Sequence, residues 1–476
     1  MNTPNHSFQR AIVIGGSMTG LFAARILSDF FEEVTILERD LLPTAPVARR
    51  GIPQAKHAHV LLTRGQQILD QLFPGIEDTL RAKGAVLIDW SQEGRLYSAA
   101  GWAAPQHSNL QSYGCSRELL EWLVRSRVQQ IANVRFQSEC RVEELILSPE
   151  RDRVIGANVT YLNIPEVGTK SDMLEADLIV DASGRTSRLP QWLEELGFPQ
   201  IQESTVSSSL GYATRWYEKP TGFKADWKGV LVAARPPHLP RGGVVLATEG
   251  NRWVVTLSGY NSDYPPTDEA GFTEFMKSLA TPYLYEVVKD ARPLTSIYGY
   301  QRTDNCWHHY ETAKLPDGVV ALGDAVCAFN PVYGQGMTMG ALGALTLQHT
   351  LQSYRNRQTL QGMTSHFQKQ LAKNNQIAWA LATGEDFRWP GTTGQRSGSL
   401  RVMHAYVGQL QQLLATDPEV AQLFWSVAHL VTPPTAMFSP KMIFKVLSHK
   451  FTSRFNNNPS THTSPPLHEL ASAPQG

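Results

Sequence analysis

The chain of 476 residues contains only four cysteines, Cys115, Cys140, Cys306 and Cys327, and none are in Cys-x-x-Cys spacing. That scarcity excludes a disulfide framework and reads as reduced thiols in a cytoplasmic protein. Neither sign of charge is in excess, since 43 Lys and Arg balance 43 Asp and Glu. No electrostatic footprint for nucleic acid exists. No uninterrupted apolar run approaches the length that crosses a bilayer, and there is no tandem repeat. The N-terminus lacks the charged and apolar regions of a signal peptide. Residues 456–476, rich in Asn, Ser, Thr and Pro, are expected to form a disordered tail.

The most informative stretch runs from Gly318 to Met337. An apolar strand, Val319 to Leu322, delivers Gly323 and Asp324. A turn with Pro331, Tyr333, Gly334 and Gln335 follows, and a helix begins near Gly336 and Met337. Asp324 is placed to accept from a polyol hydroxyl, and the glycines let backbone approach a flat ring. The helix N-terminus offers N–H groups and positive dipole to an anionic ring edge. That combination suits a flavin better than a nicotinamide.

Its partner lies near the start of the chain. Ala11 to Ile14 reads as a buried strand, followed by Gly15-Gly16-Ser17-Met18-Thr19-Gly20 and an apolar helix through Leu27. A second strand, Val34 to Leu37, ends at Glu38. This is the strand–helix–strand context of a dinucleotide fingerprint, with its acidic residue about 20 positions on. Ser17 stands where the second glycine belongs. It is small, and its hydroxyl could donate to a phosphate oxygen.

Between these ends, Arg49-Arg50-Gly51-Ile52-Pro53-Gln54 leads to His57 and His59, a basic segment placed to touch phosphate or the flavin edge. The two histidines could also form a metal pair, although no Cys or carboxylate accompanies them. Ser116 could cap a helix carrying Arg117 on a face with Leu119, Leu120 and Leu123. A buried strand from Asp177 to Val180 ends in Asp181-Ala182-Ser183-Gly184-Arg185, where Asp181 could equally cap the next helix. Alternating strands are expected at 209–216, 230–234, 244–247 and 253–258. Helices are expected at 271–279, 337–353, 363–382 and 401–430. Tyr212, Trp216, Trp227 and Trp253 read as core rather than as a ligand cage.

Three motifs in this order, Gly15 to Gly20 with Glu38, Asp181 to Arg185, and Gly323-Asp324 through Met337, resemble the FAD-dependent monooxygenases of the p-hydroxybenzoate hydroxylase fold. The resemblance spans residues 8–390. Arg50 to Gln54, Cys115-Ser116-Arg117 and Phe329 to Met337 are similar to the epoxidases that act on polyene intermediates of polyethers. The resemblance implies an α/β, two-domain architecture: a Rossmann-like FAD-binding domain, an inserted mixed β-sheet substrate domain and C-terminal helices. The expected boundaries are 8–204 and 301–390 for the FAD-binding parts, 205–300 for the sheet and 391–455 for the helices. It assigns the FAD diphosphate and ribose to Gly15, Gly16, Ser17, Thr19, Gly20, Glu38 and Arg39. Arg49, Gln54, Arg117, Asp181 and Gly184 are further cofactor contacts. Gly323, Asp324, Gly334, Gln335, Gly336 and Met337 hold the ribityl chain and flank the ring, and Pro331, Tyr333 and Gly334 face the substrate pocket.

The implied activity is insertion of one oxygen atom from O2, through a flavin C4a-hydroperoxide, into a hydrophobic small molecule. Epoxidation of an alkene in a polyene or isoprenoid intermediate ranks ahead of aromatic hydroxylation. Other readings are a reductase of the geranylgeranyl reductase type and a flavin-binding sensor without catalysis. NADPH or NADH would donate electrons, directly or through a separate flavin reductase. Trp253 does not match the Trp-x-Trp-x-Ile-Pro pattern of flavin halogenases. The apolar, partly basic helices at the C-terminal end are expected to pack over the substrate pocket, with membrane contact the lesser alternative.

Overall fold

The computed structural model describes residues 7–164, 168–396, 398 and 400–453. The expected tail at 456–476 lies outside them. Ala11–Ile14, Leu178–Val180 and Val319–Ala321 are unbroken apolar runs and are fully buried, the pattern of strands covered on both faces. They form a five-stranded parallel sheet in the order Val319–Ala321, Leu178–Asp181, Phe8–Ile14, Phe31–Leu37, Val134–Gln137. The register sets Ile14 beside Leu37 and Asp181, and Asp181 beside Ala321. Gly15, Glu38, Ala182 and Gly323 therefore emerge together at the carboxyl edge, where open α/β sheets bind ligands.

The helix Met18–Leu27 starts directly from this edge. Gly15 turns with φ of +104°, and a Cβ there would lie 2.6 Å from the Ala182 carbonyl oxygen. At Gly20 a Cβ would collide with the Gly15 carbonyl. The 20-residue helix Gly336–Arg355 packs against this helix and against Met363–Asp386. Thr19 is wedged against Gly323 and Gly340, so one small side chain joins the first motif to the third.

The second unit is an eight-stranded sheet in the order Arg292–Pro293, Gly211–Glu218, Arg252–Gly259, Arg241–Thr248, Gly229–Val232, Gly94–Ser98, Gly101–Trp102, with Tyr298–Tyr300 paired to Gly211–Glu218. All four expected strands are present. Gly94–Ser98 and Gly101–Trp102 join from within the 8–204 stretch expected to be cofactor fold, the former parallel to Gly229–Val232. Trp227 and Trp253 are core residues packed with Phe223.

The helical stretch expected at 401–430 is two helices, Leu400–Gln412 and Pro418–Ala428. Asp417 accepts from the Glu419 and Val420 N–H groups and Pro418 takes the first position, so the break is a capped start. A further helix, Pro440–Ser453, follows. Leu410, Val420, Met437, Met442 and Val446 bury these helices against one another. Phe424 and Trp425 pack on the sheet side near Trp90, and the helices form a roof. Among the described residues no helix is long and apolar enough to cross a membrane.

Gly20→Ala is expected to destabilise the protein by about 1–3 kcal/mol through overpacking, measured by urea unfolding. No side-chain movement can relieve the clash, because the obstacle is the Gly15 backbone.

Candidate functional site

A single cavity of about 1340 Å³ runs from the carboxyl edge of the parallel sheet to the space between the second sheet and the roof. Pockets for one small ligand usually measure about 300–1,000 Å³, so this one has room for a cofactor and a substrate together. On the parallel-sheet side it is lined by Ser17, Thr19, Glu38, Arg39, Arg49, Gln54, Arg117 and Gly184. Asp324, Pro331, Tyr333, Gly334, Gln335, Gly336 and Met337 line its middle. Arg39 and Gln54 are exposed at the rim. Gly15, Gly16, Gly20 and Gly323 shape the backbone behind the lining.

A buried ionic network occupies the first turn of the cradle. Glu38 accepts the Gly16 N–H at 2.9 Å and the Asp40 N–H at 3.0 Å, and pairs with Arg49 at 2.9 Å. Arg49 also reaches Asp40 at 3.2 Å and Glu121 at 2.9 Å. Arg117 donates to Ser17 Oγ at 2.8 Å and pairs with Glu121 at 2.9 Å. Burial opposes the charge of Glu121, yet Arg117 and Arg49 hold its carboxyl below the usual range. Burial likewise opposes the charge of Arg49, and Glu121 with Glu38 more than offsets it.

Glu121 was not singled out by the sequence. The signal was there as Arg117, Glu121 and Arg125 at four-residue spacing on one helix, a pattern that ordinarily marks a solvated face. Ser17 departs from its expected role, because its hydroxyl donates to Glu121 at 2.9 Å and accepts from Arg117. Ser116 caps the helix as expected, accepting from the Leu119 N–H.

Two atoms test whether FAD fits. Arg49 Nη2 and Arg117 Nη1 are buried donors with no partner among the described residues, both on side chains that line the cavity. The helix beginning at Met18 has neither a side-chain cap nor an acidic residue in its first turn. Unpaired cationic donors beside an open helix N-terminus call for an anion with several oxygens. The diphosphate of FAD meets that demand, and Asp324, 37% exposed within the same cavity, offers a carboxylate acceptor further along it.

The second motif braces the third. Arg185 donates to the carbonyls of Asp304, at 2.7 Å, and Phe329, and its Nε lies 3.7 Å from Asp324. Asp181 is fully buried and does not line the cavity. Its carboxylate accepts from the Ser183 N–H and the Ser187 hydroxyl, closing the turn.

His57 and His59 both line the cavity. Burial lowers each to about 4, assisted by Lys56 for His57 and by Arg117 for His59. His57 Nδ1 lies 2.8 Å from Thr214 Oγ1, which is 2.7 Å from Thr256 Oγ1. The group that could hold a metal among the described residues is Glu203, Cys306 and His308, and it includes neither His57 nor His59. Tyr212, expected in the core, is buried yet lines the cavity.

Fold and cradle together define a class: a flavoprotein with the architecture of the flavin-dependent monooxygenases and halogenases of the p-hydroxybenzoate hydroxylase fold. A flavin-dependent brominase shares it at TM-score 0.66 and 11% identity, covering 94% of this chain and 100% of that one. The p-nitrophenol 4-monooxygenase of Pseudomonas putida DLL-E4 shares it at TM-score 0.62 and 16% identity, covering 89% and 98%. In sequence the chain is 31% identical over 455 residues to Protein Rv3254 of Mycobacterium tuberculosis, 92% of this chain and 93% of the relative. The chain belongs to the family of Protein Rv3254. It is also 23% identical over 369 residues to the kynurenine 3-monooxygenase of Caenorhabditis briggsae, 72% of this chain and 74% of the relative. No protein-family model matches it.

Arg117→Met is expected to weaken FAD binding at least about tenfold, the scale of a lost charge-assisted hydrogen bond, by titration of the apoprotein. Ser17→Gly should change the affinity far less, since the serine proton is held by Glu121.

Proposed function

We propose that the chain is an FAD-dependent monooxygenase that inserts one oxygen atom from O2 into an apolar small molecule. One observation carries this reading: the cavity lined by Arg49, Arg117 and Asp324 at the parallel sheet continues into an apolar chamber. Bound FAD, reduced by NADPH or NADH, supplies the electrons that activate O2. The cradle would hold the diphosphate, Asp324 would accept from the ribityl chain, and the N-terminus of the helix at Gly336 would offer its free N–H groups to the ring.

The chamber's own work is positioning and exclusion of water. Trp90, Leu96, Leu231, Val244 and Leu246 line one side, and Phe424, Trp425 and Met437 the other. Neither the strands of the second sheet nor residues 424–438 contribute a charged side chain to the lining. A substrate meeting these walls is uncharged there. His57 supplies a polar contact that works in two senses. If Thr256 donates to Thr214 and Thr214 to His57 Nδ1, the outer nitrogen of His57 is a donor. With the hydroxyls reversed it is an acceptor.

Hydroxylation of an aromatic ring fits both this contact and the activities of the kynurenine and p-nitrophenol enzymes that the chain resembles. Epoxidation of an alkene in a polyene or isoprenoid intermediate is the second reading. It is favoured by the length of the chamber and by the two faces, sheet strands and residues 424–438, that contribute no charged side chain, and by the motif resemblance to the polyether epoxidases. A reductase of the geranylgeranyl type shares the fold and makes the opposite prediction about oxygen.

Incubation with FAD, NADPH and 18O2 across a panel of apolar phenols and polyenes is expected to yield a product carrying one 18O atom. NADPH oxidation that gives only hydrogen peroxide with every compound would defeat the reading, and oxygen-independent reduction of an alkene would establish the reductase. NADPH consumption by the purified protein alone would show that no separate reductase is needed. His57→Phe is expected to weaken a hydroxylated ligand about tenfold while leaving the affinity for its hydrocarbon parent nearly unchanged, by equilibrium titration.

A further inference from the structure

Asp386 ends the helix Met363–Asp386 and is completely buried. Among the described residues no cation pairs with it; Arg388 pairs with Glu385 instead. Its carboxylate is held by neutral donors alone: Asn305 Nδ2 at 2.6 Å, Asn330 Nδ2 at 3.1 and 3.3 Å, and the Tyr333 hydroxyl at 2.8 Å. Asn305 in turn accepts the Asn330 N–H at 2.7 Å, and Asn330 Oδ1 accepts from the Val332 N–H at 3.2 Å and the Tyr212 hydroxyl at 3.3 Å. Both asparagines are buried.

A buried charge without a counterion is costly to fold, so this arrangement calls for a return beyond packing. What it holds is specific. Asn330 and Tyr333 belong to the turn that enters the helix at Gly336, and Pro331, Tyr333 and Gly334 face the cavity beside Asp324. On its other flank Asp386 adjoins Glu385, Arg388 and Trp389, which line the same cavity. Trp389 stacks on Tyr260 at 4.5 Å between ring centroids. One carboxylate therefore fastens the ring-side turn to the end of the helix that walls the substrate space.

We propose that Asp386 is a positioning residue that sets the 330–334 turn against the flavin ring, acting through Asn330 and Tyr333. The proposal rests on the flavin reading of the cavity. An amide in place of the carboxylate would turn one acceptor into a donor facing donors, so the turn would be released without removing any volume.

The test compares apoproteins of the wild type, Asp386→Asn, and the exchange variant Asp386→Asn with Asn330→Asp, each titrated with FAD. Asp386→Asn is expected to weaken FAD at least about tenfold and to alter the visible absorbance bands of the bound flavin. The exchange variant restores a carboxylate–amide pair and should recover most of the affinity. Equal affinity and an unchanged flavin spectrum in Asp386→Asn, even with lowered thermal stability, would overturn the proposal. If Asp386→Asn does not fold, Tyr333→Phe removes one bond from the node without disturbing the core. It should still alter the flavin spectrum, and an unaltered one would count against the proposal equally. A wild type that binds FAD yet never transfers oxygen would sink only the monooxygenase reading. One that binds no FAD would sink both.

Discussion

The site depends on one register. Because Ile14, Leu37, Asp181 and Ala321 end at the same level of a parallel sheet, four loops distant in sequence leave the sheet side by side. A shift of any strand would separate the Gly15–Gly20 turn from Asp324. Parallel pairing alone would not hold the loops close enough. Thr19, packed against Gly323 and Gly340, and Arg185, bonded to the Phe329 and Asp304 carbonyls, draw them into one surface. The cradle is thus a consequence of backbone geometry first and of side-chain chemistry second.

Its electrostatics follow from burial. Arg49, Arg117 and Arg125 lie beside Glu38, Asp40 and Glu121 with almost no solvent to screen them. In that setting a lone arginine would be too costly to keep charged and too mobile to aim. Glu121 settles both difficulties. It binds one edge of each guanidinium and leaves another nitrogen of Arg49 and of Arg117 unpaired. The same carboxylate explains why a serine is accommodated where the fingerprint has glycine. Ser17 turns its hydroxyl into the Glu121–Arg117 pair, so the hydroxyl is satisfied within the protein.

Much of this was legible from sequence because it is local. Glycines at fixed spacing, an acidic residue after the second strand and a Gly-Asp step after an apolar run are each written within a few residues. The strands Gly94–Ser98 and Gly101–Trp102 were not legible, because they are short, begin with glycine and acquire meaning only from their partner at 229–232. Glu121 looked like one more charge on an amphipathic helix. Asp386 carries no local signal at all, since Asn305, Asn330 and Tyr333 reach it from segments 53 to 81 residues away. The cap that divides 401–430 was readable in Asp417-Pro418, and the general apolar character of the region obscured it.

The chamber combines neutral histidines with two faces, the sheet strands and residues 424–438, that contribute no charged side chain. Burial lowers His57 and His59 to about 4 and His429 to about 3, so near neutral pH none of the three brings a charge. His429 Nδ1 accepts the Thr63 N–H at 3.1 Å and His59 Nδ1 lies 3.0 Å from the His57 carbonyl, which fixes the tautomer of each. His57 is different, because its partner is a hydroxyl that can rotate. The outer nitrogen of His57 can therefore be either donor or acceptor. The Thr214 and Thr256 hydroxyls rotate as the neutral imidazole gives up its proton at one nitrogen and takes one up at the other by exchange with solvent. The charged side chains of the lining, Arg235, Arg302, Lys373 and Arg388 among them, come from segments other than the strands and residues 424–438, so the polar contact met on those two faces is a neutral one.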